Sequence, residues 1–274
     1  MIGEAALTRR RCVGMAAALA WLPRARADQP AVPAIDRTGG DPLGTLQWPD
    51  LRREFIGEGA VAFSDRVRVR VPETADDPLN VPVMVDARGL AADGVRIRLI
   101  RVVVDRNPIR HVVDFEPLRS LPVLSLRLKL EQASPVRALV QAEDGAWHVA
   151  GAWVQAAGGG CTVAGSSRTD GSWSRTLNQV RARLFDNVIE GSRRLRVQVM
   201  HPMDTGLVAG IPAFHVERLA LLDAAGQPWW RLALREPVSE NPSLGFELPL
   251  SLSGPLRLRG QDNNGNPIDA VLTA

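Results

Sequence analysis

The sequence predicts an all-β protein: two immunoglobulin-like β-sandwich domains joined by a Gly/Ser-rich arm that bears a single cysteine. Three observations predict it. Apolar residues alternate with charged or polar ones in short runs, as in Val67, Val69 and Val71 against Arg66, Arg68 and Arg70, or Leu195, Val197 and Val199 against Arg196 and Gln198, which is the period of half-buried strands. Pro, Gly and Asn separate those runs at the spacing of short antiparallel strands. Between the two sets, over residues 156–176, periodicity stops, and Gly158-Gly159-Gly160-Cys161 is followed by Ser166, Ser167, Thr169, Gly171 and Ser172.

Residues 1–27 read as an export signal. Arg9, Arg10 and Arg11 precede an apolar run over 13–22, and Ala25-Arg26-Ala27 offers small residues for cleavage before Asp28. Thr8-Arg9-Arg10 resembles the start of a twin-arginine signal, with an ordinary secretory leader as the alternative; either predicts a periplasmic mature chain. The run is too short to span a bilayer and no later segment is long and apolar enough, so no membrane anchor is expected.

Residues 28–59 form a lead-in. The stretch 28–44 is rich in Pro, Gly and Asp without periodicity and reads as poorly ordered. Pro49 suits a first helical position, Asp50 and Glu54 favour a helix start, and Leu51 and Phe55 lie one turn apart, so a short helix follows that Gly57 and Gly59 end.

Residues 60–155 carry strand patterns from Val61 through Val71, then at 81–85, 95–104, 111–115, 124–130, 138–141 and 147–155, with turns at Pro72, Pro78, Gly89, Gly94, Asn107-Pro108 and Pro117. In the fifth of these runs Leu124, Leu126, Leu128 and Leu130 alternate with Ser125, Arg127 and Lys129. Trp147 or Trp153 is the expected core aromatic of this sandwich. Residues 177–274 repeat the pattern at 180–184, 195–199, 214–222, 229–234, 244–250, 256–259 and 267–272. Trp229-Trp230 sends one ring to the core and one to a contact surface.

The charge balance argues against a nucleic-acid partner. Residues 1–27 hold five arginines and one glutamate, so the 33 basic and 30 acidic residues of the whole chain fall to 28 and 29 without them. The sequence pI of about 9.6 belongs largely to the leader.

Cys161 is the one cysteine left once Cys12 departs with the leader, so no internal disulfide is available in an oxidising exported compartment. A lone cysteine is ordinarily a small buried apolar side chain. Here no apolar periodicity surrounds it and three glycines free the backbone before it, so the sequence predicts an exposed, mobile thiol suited to covalent carriage, on an arm of Gly158, Gly159 and Gly160. The nearest base in sequence is Arg168, which leaves activation of the thiol to a partner's active site or to a contact made by the fold.

The N-terminal half resembles SoxY in the valine-rich strand before Pro72, in Val81-Pro82-Val83, in Arg106-Asn107-Pro108 and above all in Gly159-Gly160-Cys161. The C-terminal half resembles SoxZ in His201-Pro202-Met203-Asp204-Thr205-Gly206, Ile211-Pro212, Asn241-Pro242 before Phe246, and Asp262-Asn263-Asn264-Gly265. SoxY and SoxZ are the two subunits of the periplasmic carrier of bacterial thiosulfate oxidation. The resemblance implies two immunoglobulin-like sandwiches packed on each other, with Cys161 as the covalent attachment site and Gly158, Gly159 and Gly160 as a flexible stem. It also implies a carrier that is not itself an enzyme and holds no cofactor. The implied partners are periplasmic redox enzymes: haem-containing sulfur-oxidising enzymes, or the quinoprotein dehydrogenase system of alcohol oxidation with which fused SoxYZ-like carriers are associated. An accessory or binding module for such a dehydrogenase system is the alternative. Thr162-Val163 stands where the family carries a glycine pair after the cysteine, and here a second domain follows the arm and tethers it at both ends.

The run His201, Pro202, Met203, Asp204, Thr205 and Gly206 reads as a rigid turn that fixes a docking loop or the contact between domains. Copper ligation by His201 and Met203 is the sharper alternative, and no metal is expected. His111, His148 and His215 fall in strand patterns and read as structural. Asp76-Asp77 and Asp262-Asn263-Asn264-Gly265 lack the ligand spacing of an EF-hand and read as solvated turns.

Overall fold

A computed structural model of the protein describes residues 36–186 and 191–272. The expected export signal, residues 1–27, and the first residues of the lead-in lie outside the described residues. The N-terminal half contributes β1 (Val61–Phe63), β2 (Arg68–Arg70), β3 (Thr74–Ala75), β4 (Val81–Asp86), β5 (Ile97–Val104), β6 (His111–Glu116), β7 (Val123–Leu128), β8 (Ser134–Ala142) and β9 (Trp147–Ala156). The C-terminal half contributes β10 (Val180–Asp186), β11 (Ser192–Val199), β12 (Val216–Leu222), β13 (Pro228–Leu234), β14 (Ser243–Pro249), β15 (Leu256–Asp262) and β16 (Pro267–Leu272). Four short helices complete the described chain: α1 (Trp48–Phe55), α2 (Arg88–Ala92), α3 (Ser166–Asp170) and α4 (Trp173–Thr176).

Each half is a two-sheet immunoglobulin-like sandwich, and neither sheet stops at the boundary between halves. The larger sheet runs β1-β9-β8-β5-β6-β13-β12-β15-β16, with β3 also on β9; the smaller runs β10-β11-β14-β7-β4-β2. The halves join where β6 pairs antiparallel with β13, Phe115 opposite Leu232 and Val113 opposite Leu234, and where β7 pairs with β14, Leu124 opposite Phe246. Two strand edges that would otherwise leave backbone N–H and C=O groups unpaired are closed in this way.

One apolar core therefore fills both halves. At the junction Trp230 stacks on Phe246 at 3.9 Å, and Phe246 meets Phe115 at 5.6 Å. All three rings are buried, and truncating one such side chain costs about 3–5 kcal/mol. Trp229, the outward member of the tryptophan pair, lies half-buried under the Arg119 guanidinium at 4.3 Å. Trp147 is buried, but beneath α1 on the outer face of the larger sheet, with Trp48, Leu51, Val103, Leu139 and Val149. Trp153 is half-buried and donates its ring N–H to the Leu43 carbonyl at 3.2 Å.

The lead-in departs from the expected disorder from Asp36 onward. Asp41 accepts both terminal nitrogens of Arg137 at 2.8 and 2.7 Å, and Asp105 accepts Nε and Nη2 of the same arginine, both at 2.8 Å. Thr45 joins the cluster, the guanidinium lies 4.8 Å from the Trp48 ring, and every one of these side chains is buried. Burial raises the carboxyl of Asp41, but the Arg137 hydrogen bonds and charge, together with the Thr45 and Leu43 N–H groups, outweigh it and hold the group below its ordinary value. A polar, proline-rich stretch shows no periodicity because its fixing contact is one buried ion triad, not an apolar face.

Candidate functional site

The site is the seat of Cys161, at the joint between the halves. The segment that carries it is laid against the backbone of residues 78 and 130–131. Gly159 and Gly160 donate their N–H groups to the carbonyls of Glu131 and Leu130 at 3.0 and 2.9 Å, and the Cys161 N–H goes to the Glu131 carboxylate at 3.0 Å. Thr162 donates its hydroxyl to the same carboxylate at 3.1 Å. From the C-terminal half, the Thr205 hydroxyl donates to the Cys161 carbonyl at 2.6 Å.

The glycines are needed for closeness as well as for conformation. A Cβ at Gly160 would stand 2.3 Å from the Pro78 carbonyl oxygen and 2.7 Å from that of Leu130, and Gly158, at φ +99°, would meet the Glu131 carbonyl at 2.5 Å. The expectation of a free, flexible arm at Gly158, Gly159 and Gly160 is corrected accordingly: these glycines let the segment dock. The linker beyond is also more structured than its composition suggests. Within α3, Ser167 donates its N–H to Glu240 at 2.8 Å and Arg168 pairs with Asp204 while lying 4.2 Å from the Trp173 ring of α4.

Cys161 is free and fully buried, which corrects the expected exposed thiol. Its Sγ lies 3.9 Å from the main-chain oxygen of Lys129. Burial, with the Glu131 carboxylate second, pushes the thiol up to about 12, against a partial counter-effect from the Lys129 ammonium. The seat thus holds a protonated, unreactive thiol at neutral pH.

Lys129 was not singled out by the sequence, where it belonged to the polar side of an alternating strand. The strand ends at Leu128, and Lys129 is buried with its ammonium donating to the carbonyl of Met203, across the joint. Burial pushes its pKa down to about 8, opposed by the negative charges of Asp204, Glu240 and Glu236 and by the Cys161 thiolate when that forms. The signal that finds it is compositional: Lys129 is the only lysine in the chain.

The run 201–206 supplies the other wall. His201, Pro202, Met203, Asp204 and Thr205 are all buried, and only Gly206 is exposed. Of the two readings of this turn, the structure carries the contact between halves: it receives the Lys129 ammonium and the Cys161 carbonyl. Met203 takes a left-handed backbone at φ +52°, and its sulfur accepts the Val216 N–H at 3.3 Å. His201 Nδ1 accepts the Met203 N–H at 3.1 Å, which leaves Nε2 as the protonated nitrogen, 3.7 Å from Asp262. Burial holds this histidine down at about 4 despite that carboxylate. His201 Nδ1 and the Met203 sulfur are thus occupied by backbone, and among the described residues no cluster of three His, Cys, Asp or Glu side chains is placed to hold a metal ion.

A buried free thiol at the joint of two immunoglobulin-like halves that share their sheets defines the class: a two-part β-sandwich protein organised around one cysteine. Family comparison then names the parts. Residues 52–161 match the family described as sulfur oxidation protein SoxY, and residues 186–272 the one described as sulphur oxidation protein SoxZ; the chain is a SoxY–SoxZ fusion and belongs to these families. Among solved structures it is similar to the sulfur carrier protein SoxY from Chlorobium limicola f thiosulfatophilum, at 24% identity and TM-score 0.35, over 40% of this chain and 90% of that one. It is also similar to the superoxide reductase (neelaredoxin) from Ignicoccus hospitalis, at 19% identity and TM-score 0.26, over 33% and 79% of the two chains. No curated protein matches it.

Proposed function

We propose that the chain is a periplasmic covalent carrier, not an enzyme, that holds a sulfur-bonded intermediate on Cys161 and presents it to partner redox enzymes. The observation that carries this reading is positional: the SoxY match ends at residue 161, and Cys161 is the only cysteine after the leader. In the attachment step the outer sulfur of thiosulfate bonds to Sγ, the thiol proton leaves, and two electrons pass to a haem-containing partner. Hydrolysis of the resulting adduct releases sulfate and leaves a sulfur atom on Sγ. The chain's own residues hold and shield the thiol, and the partner supplies the oxidising chemistry.

Carriage requires the seat to open, because an enclosed thiol at about 12 forms almost no thiolate at neutral pH. The contacts to be released are few: the backbone bonds of Gly159 and Gly160, the Glu131 bonds to Cys161 and Thr162, and the Thr205 bond. Intact-mass measurement of the chain isolated from the periplasm tests the reading. Sulfur-containing adducts on wild type that vanish in Cys161→Ser support it; an unmodified mass during active sulfur oxidation overturns it.

The burial of Cys161 favours a second reading, in which the cysteine only fills the joint and the chain is a non-catalytic accessory of a quinoprotein dehydrogenase system. That reading requires the thiol to stay inert to reagents in the folded protein and Cys161→Ser to keep full pathway activity.

A further inference from the structure

On the outer face of the larger sheet a furrow of about 630 Å³ crosses the joint between the halves, running over β8, β5, β6, β13, β12 and β15. Leu99, Ala220 and Ala233 floor it, all half-buried, with Gly260 beside them. Its depth follows from the small residues Ala233, Ala220 and Gly260 on the neighbouring strands β13, β12 and β15. Arg98, Arg218, Arg231 and Arg259, all exposed, stand along it.

The charges around the furrow are weakly committed. Arg98 has no ion pair among the described residues, and Arg231, Arg218 and Arg259 reach Glu116, Glu217 and Asp269 only at 3.4, 3.9 and 3.6 Å, between exposed side chains. Exposed pairs of this kind contribute little to stability and exchange readily for a better-placed carboxylate. Of the two acids lining it, Asp114 is already held by Nε and Nη2 of Arg101, both at 2.7 Å, and Glu116 is the partner of Arg231. Four cations thus gather on one strip of a chain whose residues after the leader are close to neutral.

The neighbouring stretch of the same face shows what covers it. There α1 lies on the sheet, burying Trp48 and Leu51 against Val103 and Leu139, and Leu99 is shared between that patch and the furrow floor. Arginines hold the helix: Arg110 pairs with Glu54 at 2.6 Å, and Arg101 donates to the Phe55 carbonyl at 3.0 Å. Six strands span five spacings, about 24 Å, the length of a helix of about 16 residues. A small anion would fill a fraction of that length and leave the apolar floor wet.

We infer that this furrow docks an acidic amphipathic helix of a partner protein, its apolar stripe on Leu99, Ala220 and Ala233 and its carboxylates on the four arginines. The surface is built from both halves, so it exists only in the joined molecule, and the inference stands independently of the chemistry at Cys161.

The test uses the full chain and a fluorescein-labelled 16-residue helical peptide with leucines at i, i+3 and i+4 flanked by glutamates, read by anisotropy. The expected result is saturable binding that weakens about tenfold in Arg218→Glu/Arg231→Glu and in Ala233→Trp, weakens in salt as charge pairing requires, and is absent for the lysine-for-glutamate peptide. These side chains are exposed or half-buried, and circular dichroism verifies that each variant folds. No saturable binding, equal binding of the lysine peptide, indifference to both variants, or displacement of the peptide by equimolar phthalate overturns the inference, the last by assigning the furrow to a small anion.

Discussion

Lys129 and Cys161 meet through opposite ends of the lysine: its main-chain oxygen lies 3.9 Å from the thiol, while its ammonium bonds the Met203 carbonyl of the other half. One residue therefore couples the closure of the joint to the enclosure of the thiol. The nearest cation to Cys161 is committed to holding the joint, which leaves the thiol protonated for as long as the segment stays seated.

A thiol reagent should accordingly modify folded wild type slowly, at a rate set by opening of the seat. Gly160→Ala drives a Cβ into two backbone carbonyls and should accelerate modification by at least about tenfold, since a loss of 1.4 kcal/mol in docking has that effect. Thr205→Val removes the bond to the Cys161 carbonyl and should accelerate it about fivefold, for a net hydrogen bond of about 1 kcal/mol. Stopped-flow measurement with an aromatic disulfide reports both. Rates equal to wild type in both variants would mean that the reactive pose does not pass through this seat.

Stability should rise with pH just above neutrality. Lys129 titrates at about 8 in the fold against 10.5 in the unfolded chain, so between those values the unfolded state holds the extra proton and raising the pH favours the fold. Cys161, at about 12 in the fold against 9.0, acts in the opposite sense as the pH nears and passes 9.0. From about pH 8 to 9 the lysine contributes a gain of up to about 1 kcal/mol, and the onset of Cys161 ionisation in the unfolded chain takes back about a third of it. Urea midpoints should rise from the lower to the upper end of that window in wild type and fall slightly in Lys129→Met. The methionine variant should match or exceed wild type at pH 7, because a buried ammonium is replaced by an apolar chain of similar length.

Acid should loosen the same joint from its other wall. His201 is held neutral, at about 4 in the fold against 6.5 unfolded, so the unfolded state binds the additional proton between these values and stability falls as the pH drops through them. The shift corresponds to about 3 kcal/mol at the acid end, and His215, lowered by burial as well, adds in the same direction. His201→Asn keeps an acceptor for the Met203 N–H without a titrating group. Thermal melts from pH 6.5 down to pH 4 should show a shallower loss for that variant.

Cutting the chain between Gly165 and Ser174 should leave the halves together. They share β6·β13 and β7·β14 pairing and the ring cluster of Phe115, Trp230 and Phe246, while the linker adds effective concentration. Gel filtration of the nicked protein should give one peak at the intact size, and independent elution of two fragments would contradict the shared core.

The strands were legible because valines, leucines and arginines alternate without ambiguity, and α1 because Pro49 opens it and Leu51 and Phe55 face one way. The merging of the sheets was not: β6 and β13 carry the same alternation whether their outer edges meet solvent or each other. At the site, Cys161 and the run 201–206 were both visible, but their contact through Thr205 spans 44 residues of sequence. The seat itself is made of the carbonyls of Pro78, Leu130 and Glu131, and a carbonyl has no letter in the sequence. Glycines that thread between such groups look the same as glycines that swing free, which is why a docked segment read as a loose one. Lys129 was hidden by its place in an alternating pattern that outruns the strand, which ends one residue before it.

The pairing of β6 with β13 has a consequence for assembly. Were the two halves separate polypeptides, the chamber around Cys161 would exist only in the fraction of molecules that had found their counterpart, and dilution would shrink that fraction by mass action. Placing both edges on one chain removes concentration from the equilibrium. Every copy that folds carries its own chamber, in a fixed one-to-one ratio of walls to thiol, however sparse the protein is.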